Sequence, residues 1–329
     1  MMRLTRRGYG VVGIVVLAEA LAFGFGARSL NAIAAPALIA LAGAAVQLRL
    51  AESPAATRSP VPPGFPGDTR EMDVDVEGSG VARITQPLPE ELTADRTTEL
   101  SLPGEFTLEV TCGRRGVYSL DPLDVTVTDL LGLIRNRYTV GGETTVTVYP
   151  PVYQLAGRGQ ILRDALDRRG VERQEFDSLR EYVPGDPLRD VHWKTSAKEA
   201  DTLYVKEFVD RRVDDEVVIV ATGDPDCGDA MATAAASVAR IALDAGLGVE
   251  LHVPGGSVPL GQGETHRADL FERLARAEAG TIPADEEPDA DVRIHAAADG
   301  VEVRFGSQTR SLEELTVSRD NPTTGRAGA

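Results

Sequence analysis

Lysine is nearly missing from this chain of 329 residues: Lys194, Lys198 and Lys206 are the only three, so arginine carries almost all of the positive charge. Cysteine is as scarce. Cys112 and Cys227 sit far apart in segments of different character, which excludes a disulfide framework and a metal-ligand spacing and predicts two buried thiols. The four histidines, His192, His252, His266 and His295, fall in no H-E-x-x-H or related pattern. A G-x-S-x-G elbow, a P-loop ending in Gly-Lys-Ser/Thr and a G-x-G-x-x-G after a strand are all missing. Gly255-Gly256 and Gly261-x-Gly263 read as loop. Catalysis therefore lacks a candidate at this level, and the chain reads as non-enzymatic and without a cofactor.

Acid is abundant: 51 Asp and Glu against 34 Lys and Arg give a formal net charge of -17. With 42% hydrophobic residues the chain can still bury a core, so the charge reads as a solvated surface rather than disorder. Such a surface fits a high-salt cytoplasm of the halophile type. It repels phosphate backbones, and no basic stripe with interleaved aromatics offsets it, so nucleic acid is disfavoured as a partner.

Two apolar runs open the chain, Tyr9 to Phe25 and Leu30 to Leu48, each near the length a helix needs to cross a bilayer. Only residues 26–29 separate them, which predicts an antiparallel transmembrane hairpin over 1–50, with Gly13, Gly24, Ala32, Ala35 and Gly43 allowing close approach. Arg3, Arg6 and Arg7 precede the first helix and Arg49 and Arg58 follow the second, against Arg28 alone in the turn. The bias puts both termini and the soluble part in the cytoplasm of a two-pass cell-membrane protein. A cleaved signal peptide is disfavoured by the second run. Glu19 lies inside the first helix, where a carboxylate is costly; with no basic partner in the hairpin, a protonated or interface-facing side chain is expected.

Residues 51–67 are rich in Pro, Ala and Ser and read as a linker. From 68 to 150 short runs alternate with period 2, as in Met72-Asp73-Val74-Asp75-Val76, Phe106-Thr107-Leu108-Glu109-Val110, Asp124-Val125-Thr126-Val127 and Thr145-Val146-Thr147-Val148. This pattern predicts an Ig-like β-sandwich. Residues 151–215 begin with a helical pattern over Arg158–Arg168, turn polar and end in a strand-like run at 202–208. In 216–318 a β-branched run, 216–221, of the kind buried on both sheet faces leads into an apolar helix at 229–245 and a strand at 249–253. Another helix at 266–279 and strands at 292–295 and 301–305 complete an α/β domain. A disordered tail is expected over 319–329.

The run Asp177-Ser178-Leu179-Arg180-Glu181-Tyr182-Val183-Pro184-Gly185-Asp186-Pro187-Leu188-Arg189-Asp190-Val191-His192-Trp193-Lys194-Thr195-Ser196-Ala197-Lys198 resembles the signature of the DUF58 family, an LR-x-Y-x-x-GD core, an Arg and a W-K/R-x-x-A block. Upstream, Arg115-Gly116-Val117-Tyr118 and Asp129-Leu130-Leu131-Gly132-Leu133 are similar to the RG-x-Y and D-P-x-G-L pieces that precede it in many members. The resemblance implies a two-helix membrane protein with a β-sandwich and a degenerate von Willebrand factor A-like domain, of halophilic archaeal type. It also implies gene neighbourhoods with MoxR-type AAA+ ATPases and transglutaminase-like proteins.

On the residues themselves, Pro184-Gly185-Asp186 suits a tight turn in which Asp186 accepts from backbone or from Arg180 or Arg189, and Trp193 serves as an apolar anchor. Alternatively Arg180, Tyr182, Gly185, Asp186, Arg189, His192, Trp193 and Lys198 form a partner-binding surface, since Tyr, Trp and Arg dominate interface hot spots. A von Willebrand-type metal site needs Asp-x-Ser-x-Ser after the first strand of the domain. Here the position reads Ala221-Thr222-Gly223-Asp224-Pro225, so no metal is expected, Asp224, Asp226 and Asp229 being the nearest substitutes. The leading expectation is a membrane-anchored interaction or assembly protein with a MoxR-type ATPase as partner. The rival is a hydrolase acting on envelope material through Asp186, His192 and Lys198.

Overall fold

The computed structural model describes residues 2–25, 28–156, 176–181, 204–208, 216–283, 285, 287–306 and 308–316. It divides into two compact units, Met1–Tyr149 and Pro150–Ala329.

In the first unit the chain starts with β1 (Arg3–Leu4) and enters α1 (Arg6–Phe25) through Thr5, whose hydroxyl accepts from the Gly8 amide at 3.1 Å. After a short 3-10 turn, α2 (Asn31–Leu50) runs back. Both helices are long and apolar enough to cross a membrane, and most of their surface, Leu17, Ile39 and Leu50 included, is exposed. Val15 and Ala18 are buried midway along α1, and Ala34 is buried in the first turn of α2. The expected contact residues differ: Gly13, Gly24, Ala32, Ala35 and Gly43 are all exposed, and a methyl group at any of these glycines would meet nothing. Alanine gives a close approach without the entropy cost of glycine in a helix. Glu19 also lies on the exposed face.

Among the described residues nine strands build the β body of this unit. Antiparallel ladders give the order β1, β8 (Ile134–Val140), β7 (Leu123–Thr128), β3 (Thr69–Thr85), β5 (Thr97–Cys112), β4 (Leu92–Thr93), with β2 (Ala55–Arg58) also on β3. A smaller pair, β6 (Gly116–Leu120) and β9 (Thr144–Val148), shares their core. The period-2 pattern holds along β3: Met72, Val74, Val76, Ala82 and Ile84 point inward and Glu71, Asp73, Asp75 and Arg83 outward. A register shift between Val76 and Gly80 lets β3 pair with β2 along its first half and β7 along its second. Gly80 has φ 104° there, and a Cβ would press on Val127 at 3.2 Å.

The stretch 51–67 is not a free linker. β2 adds to the sheet, Val61 is buried, and the Gly64 amide donates to Thr147 O at 3.1 Å. Nor is Arg58 a flank of the second apolar helix: its guanidinium donates to Gln86 Oε1 (2.9 Å), Asp121 O (3.0 Å) and Gly142 O, tying three loops together. Burial lowers its pKa from the usual arginine value.

In the second unit the described strands β10 (Phe176–Glu181) and β11 (Tyr204–Phe208) form an antiparallel pair. A second sheet has the order β14 (Gly256–Gly261), β13 (Gly248–Val253), β12 (Glu216–Gly223), β15 (Val292–Ala297), β16 (Gly300–Phe305), β17 (Gln308–Ser311). β12 is parallel to both β13 and β15, and the outer ladders are antiparallel. Pro254-Gly255 is therefore the hairpin turn, Gly256 opens β14, and Gly261 ends that strand, which its Gly and Pro content concealed. α3 (Gly228–Asp244) and α4 (Gly263–Arg276) follow as expected, and α5 (Leu312–Leu315) carries a capping box from Ser311 and Glu314.

α3 is almost wholly buried. Its alanines 232, 234, 235, 236 and 239 let it lie close to the sheet, and its polar Thr233 and Ser237 donate back to the Asp229 and Thr233 carbonyls (2.7 and 2.6 Å). The helical pattern over Arg158–Arg168, residues 182–198 of the signature and the tail 319–329 lie outside the described residues.

Candidate functional site

In the second unit β12 is followed by α3 and then β13 on one side, whereas β15 lies on the other side of β12. In open α/β sheets the strand ends at such a reversal are where ligands sit. Here Gly223 closes that end by donating to Gly280 O at 3.0 Å, and the Asp224 amide donates to Ala296 O at 2.8 Å. Asp226 adopts a left-handed φ of 69°, which short polar side chains tolerate, and Cys227 N returns to Asp224 O at 3.0 Å before α3 begins.

Alternation across this sheet separates two faces. Val217, Ile219, Val249, Leu251, Val292, Ile294, Val303 and Phe305 are buried. Their neighbours Thr222, Glu250, His252, Arg293, His295, Glu302 and Arg304 stay partly or fully exposed. β12 itself is apolar on both sides through Ala221, with Ile219, Val220 and Ala221 all buried, and turns polar at Thr222. The polar face carries a groove of about 320 Å³ lined by Thr222, Arg293, His295, Glu302 and Arg304.

Pairing register builds the chemistry of this face. Thr222 sits opposite His295 in the β12–β15 ladder, which brings Oγ1 and Nδ1 to 3.1 Å. The other ring nitrogen, Nε2, is 3.6 Å from Asp224 Oδ1. His252 Nε2 approaches Glu250 Oε1 at 2.7 Å, and Arg293 pairs with Glu287. Hydroxyl, imidazole and carboxylate stand in line, but the 3.6 Å gap exceeds hydrogen-bond length. The Thr222 hydroxyl is also within reach of Ile294 O at 3.3 Å. This arrangement can present a mixed hydrogen-bonding surface of donors and acceptors. A second hollow of about 430 Å³ lies between Tyr153, Asp229, Thr233, Val301 and Leu312.

Of the residues singled out from sequence, Arg180 falls in β10 opposite Val205. Tyr182, Gly185, Asp186, Arg189, His192, Trp193 and Lys198 lie outside the described residues. Asp224 faces His295, Asp226 sits in the turn, and Asp229 is in the first turn of α3. Among the described residues no group of three or more His, Cys, Asp or Glu side chains could hold a metal ion. The Thr222–His295–Asp224 line escaped the sequence, because a cross-strand pair depends on which strands become neighbours; only the polar alternation Arg293, His295 hinted at an open face.

Two comparisons with known proteins bear on this chain. The chain is similar to the Uncharacterized protein YeaD of Bacillus subtilis (strain 168), 28% identical over 174 residues. The match takes in 50% of this chain and 43% of that protein, so the chain spans less than half the length of this relative. Residues 178–306, from the strand pair through the parallel core to the end of β16, match the family model described as Protein of unknown function DUF58.

Proposed function

We propose that this chain is a membrane-anchored, non-enzymatic protein of the DUF58 type that mediates protein–protein interaction or complex assembly. In this reading α1 and α2 cross the bilayer, with both termini and both soluble units cytoplasmic. The β body is an Ig-like sandwich, and the parallel core is a von Willebrand factor A-like domain without its metal. A MoxR-type AAA+ ATPase is the proposed partner.

The observation that carries the reading is the position of Ala44 and Leu48. Both belong to α2, yet both are buried in the core of the β body, while much of the remaining surface of the helix is apolar and exposed. A helix so joined serves as a permanent anchor, and an apolar surface of this extent calls for lipid. Arg3, Arg6, Arg7 and Arg49 at the open end of the hairpin, against Arg28 at its turn, support the cytoplasmic orientation. The polar face around Thr222, His295 and Arg304 is the surface we assign to partner recognition.

Co-purification of the full chain from high-salt membranes in mild detergent tests this. An ATPase should be recovered with the native chain and lost with Arg304→Glu. Recovery of none removes that partner, and turnover of envelope material by the pure chain would overturn the non-enzymatic reading. A cysteine probe at either terminus should label from the cytoplasmic side alone.

A further inference from the structure

The turn between β7 and β8, residues 129–134, is built to hold two leucines outward. Asp129 is buried, and its carboxylate accepts from the amides of Leu131 (2.9 Å), Leu133 (2.7 Å) and Ile134 (2.5 Å). Gly132 takes φ 69°, so the chain reverses tightly and sends Leu133 and Ile134 into the core. Leu130 and Leu131 are left 79% and 56% exposed.

This tip lies against the open end of the hairpin. Thr5 donates from its amide to Leu133 O (2.9 Å) and from its hydroxyl to Gly132 O (2.5 Å), and Gln47 Oε1 accepts from the Leu130 amide at 3.4 Å. A Cβ at Gly8 would overlap the Leu133 carbonyl oxygen. Gly8 is the third residue of α1 and Gln47 the fourth from the end of α2, so the turn sits about one helical turn, ~5 Å, inside the base of the hairpin.

Arginines lie on the segments that meet the tip, Arg7 coming within 3.6 Å of where a Cβ at Gly132 would stand. Arg3, Arg6, Arg7, Arg49 and Arg135 are exposed and, among the described residues, form no ion pair; Arg3 and Arg135 face each other across the β1–β8 ladder. In a chain of net charge -17, a cationic cluster that leaves the many carboxylates aside calls for an outside anion. Apolar tip, cationic ring and apolar helices in continuity match the layers of a membrane interface, in which leucine meets acyl chains and arginine meets phosphate.

We propose that Leu130 and Leu131 insert into the lipid at the open end of the hairpin, with the arginine ring on anionic headgroups. The β body is thereby seated on the bilayer at a second point besides the helices. The inference rests on the hairpin spanning the membrane, and the test separates the two.

In a full-length chain with Cys112 and Cys227 replaced, nitroxide labels are placed singly at Leu131→Cys, at Val16→Cys midway along α1, and at Glu143→Cys on an exposed turn of the β body. The chain is reconstituted in phosphatidylcholine vesicles with and without phosphatidylglycerol. Collision with oxygen relative to a water-soluble nickel chelate should be severalfold higher at 131 than at 143, and higher still with phosphatidylglycerol. A lipid signature at 16 with a water signature at 131 overturns the proposal and leaves the hairpin standing. Water signatures at both overturn the hairpin and the proposal with it. A lipid signature at 131 that ignores phosphatidylglycerol overturns the role of the arginines.

Discussion

Three amides converge on the buried Asp129 carboxylate, and removing a charged acceptor strands all three donors. Hydrogen bonds to charged groups contribute about 1.5–3 kcal/mol each when measured singly and do not add in full, so Asp129→Ala should destabilise the β body by about 3 kcal/mol. Asp129→Asn, which keeps an acceptor, should lose less; denaturant titration of the detergent-solubilised chain reads both. Cys112 makes a second residue-scale prediction. Burial pushes its thiol pKa up, the Arg70 charge opposes and the Asp68 charge adds. The folded state holds that proton to higher pH than the unfolded chain. The contribution is therefore whole below the unfolded thiol range and is lost as pH rises through the raised value. At pH 7 a maleimide should label Cys227, which is only partly buried, while Cys112 reacts only after denaturation. Equal labelling of both in the native chain would contradict the packing around β5.

At the scale of elements, what could be read in advance followed from periodicity. β3, β5, β7 and β9 announced themselves by alternation, and both apolar helices and α3 by continuous small or aliphatic runs. β8 did not, because Ile134-Arg-Asn-Arg-Tyr-Thr-Val buries little beyond Ile134. β2 hid among prolines, since a four-residue strand gains its stability from the neighbour it pairs with, not from its own residues. The candidate surface was least legible, for its Thr222–His295 pair depends on β15 lying next to β12 across a long separation in sequence. Ser237 shows the same non-local dependence: its buried hydroxyl accepts from the Tyr153 amide at 3.0 Å. Ser237→Ala strands that amide and should cost about 1–2 kcal/mol. Ser237→Thr keeps the hydroxyl but adds a methyl group to a fully buried site. Thermal unfolding of the variants tests the first; no change on Ser237→Ala would mean that water replaces the hydroxyl.

For the molecule as a whole, charge dominates. At a net charge of -17 the compact state repels itself, and salt shortens the range of that repulsion from about 10 Å at 0.1 M to about 3 Å at 1 M. The thermal midpoint of the detergent-solubilised chain should therefore rise between 0.1 M and 2 M potassium chloride, beyond what the same salt does for a neutral protein of similar size. A flat or falling midpoint would mean that the acidic residues are already balanced locally, and would count against a high-salt origin.

β1 comes before α1 in the chain, yet its partners, Ile134 and Arg135 of β8, come after α1, α2 and most of the strands of the first unit. During synthesis Arg3 and Leu4 must therefore wait, unpaired, while the hairpin leaves the ribosome and finds its final place. The edge of the sheet is completed only when the amino terminus returns from that delay. On the proposed membrane insertion, threading of the helices and closure of the sheet become one event, so a chain whose amino end were carried across the bilayer would lack its outermost strand.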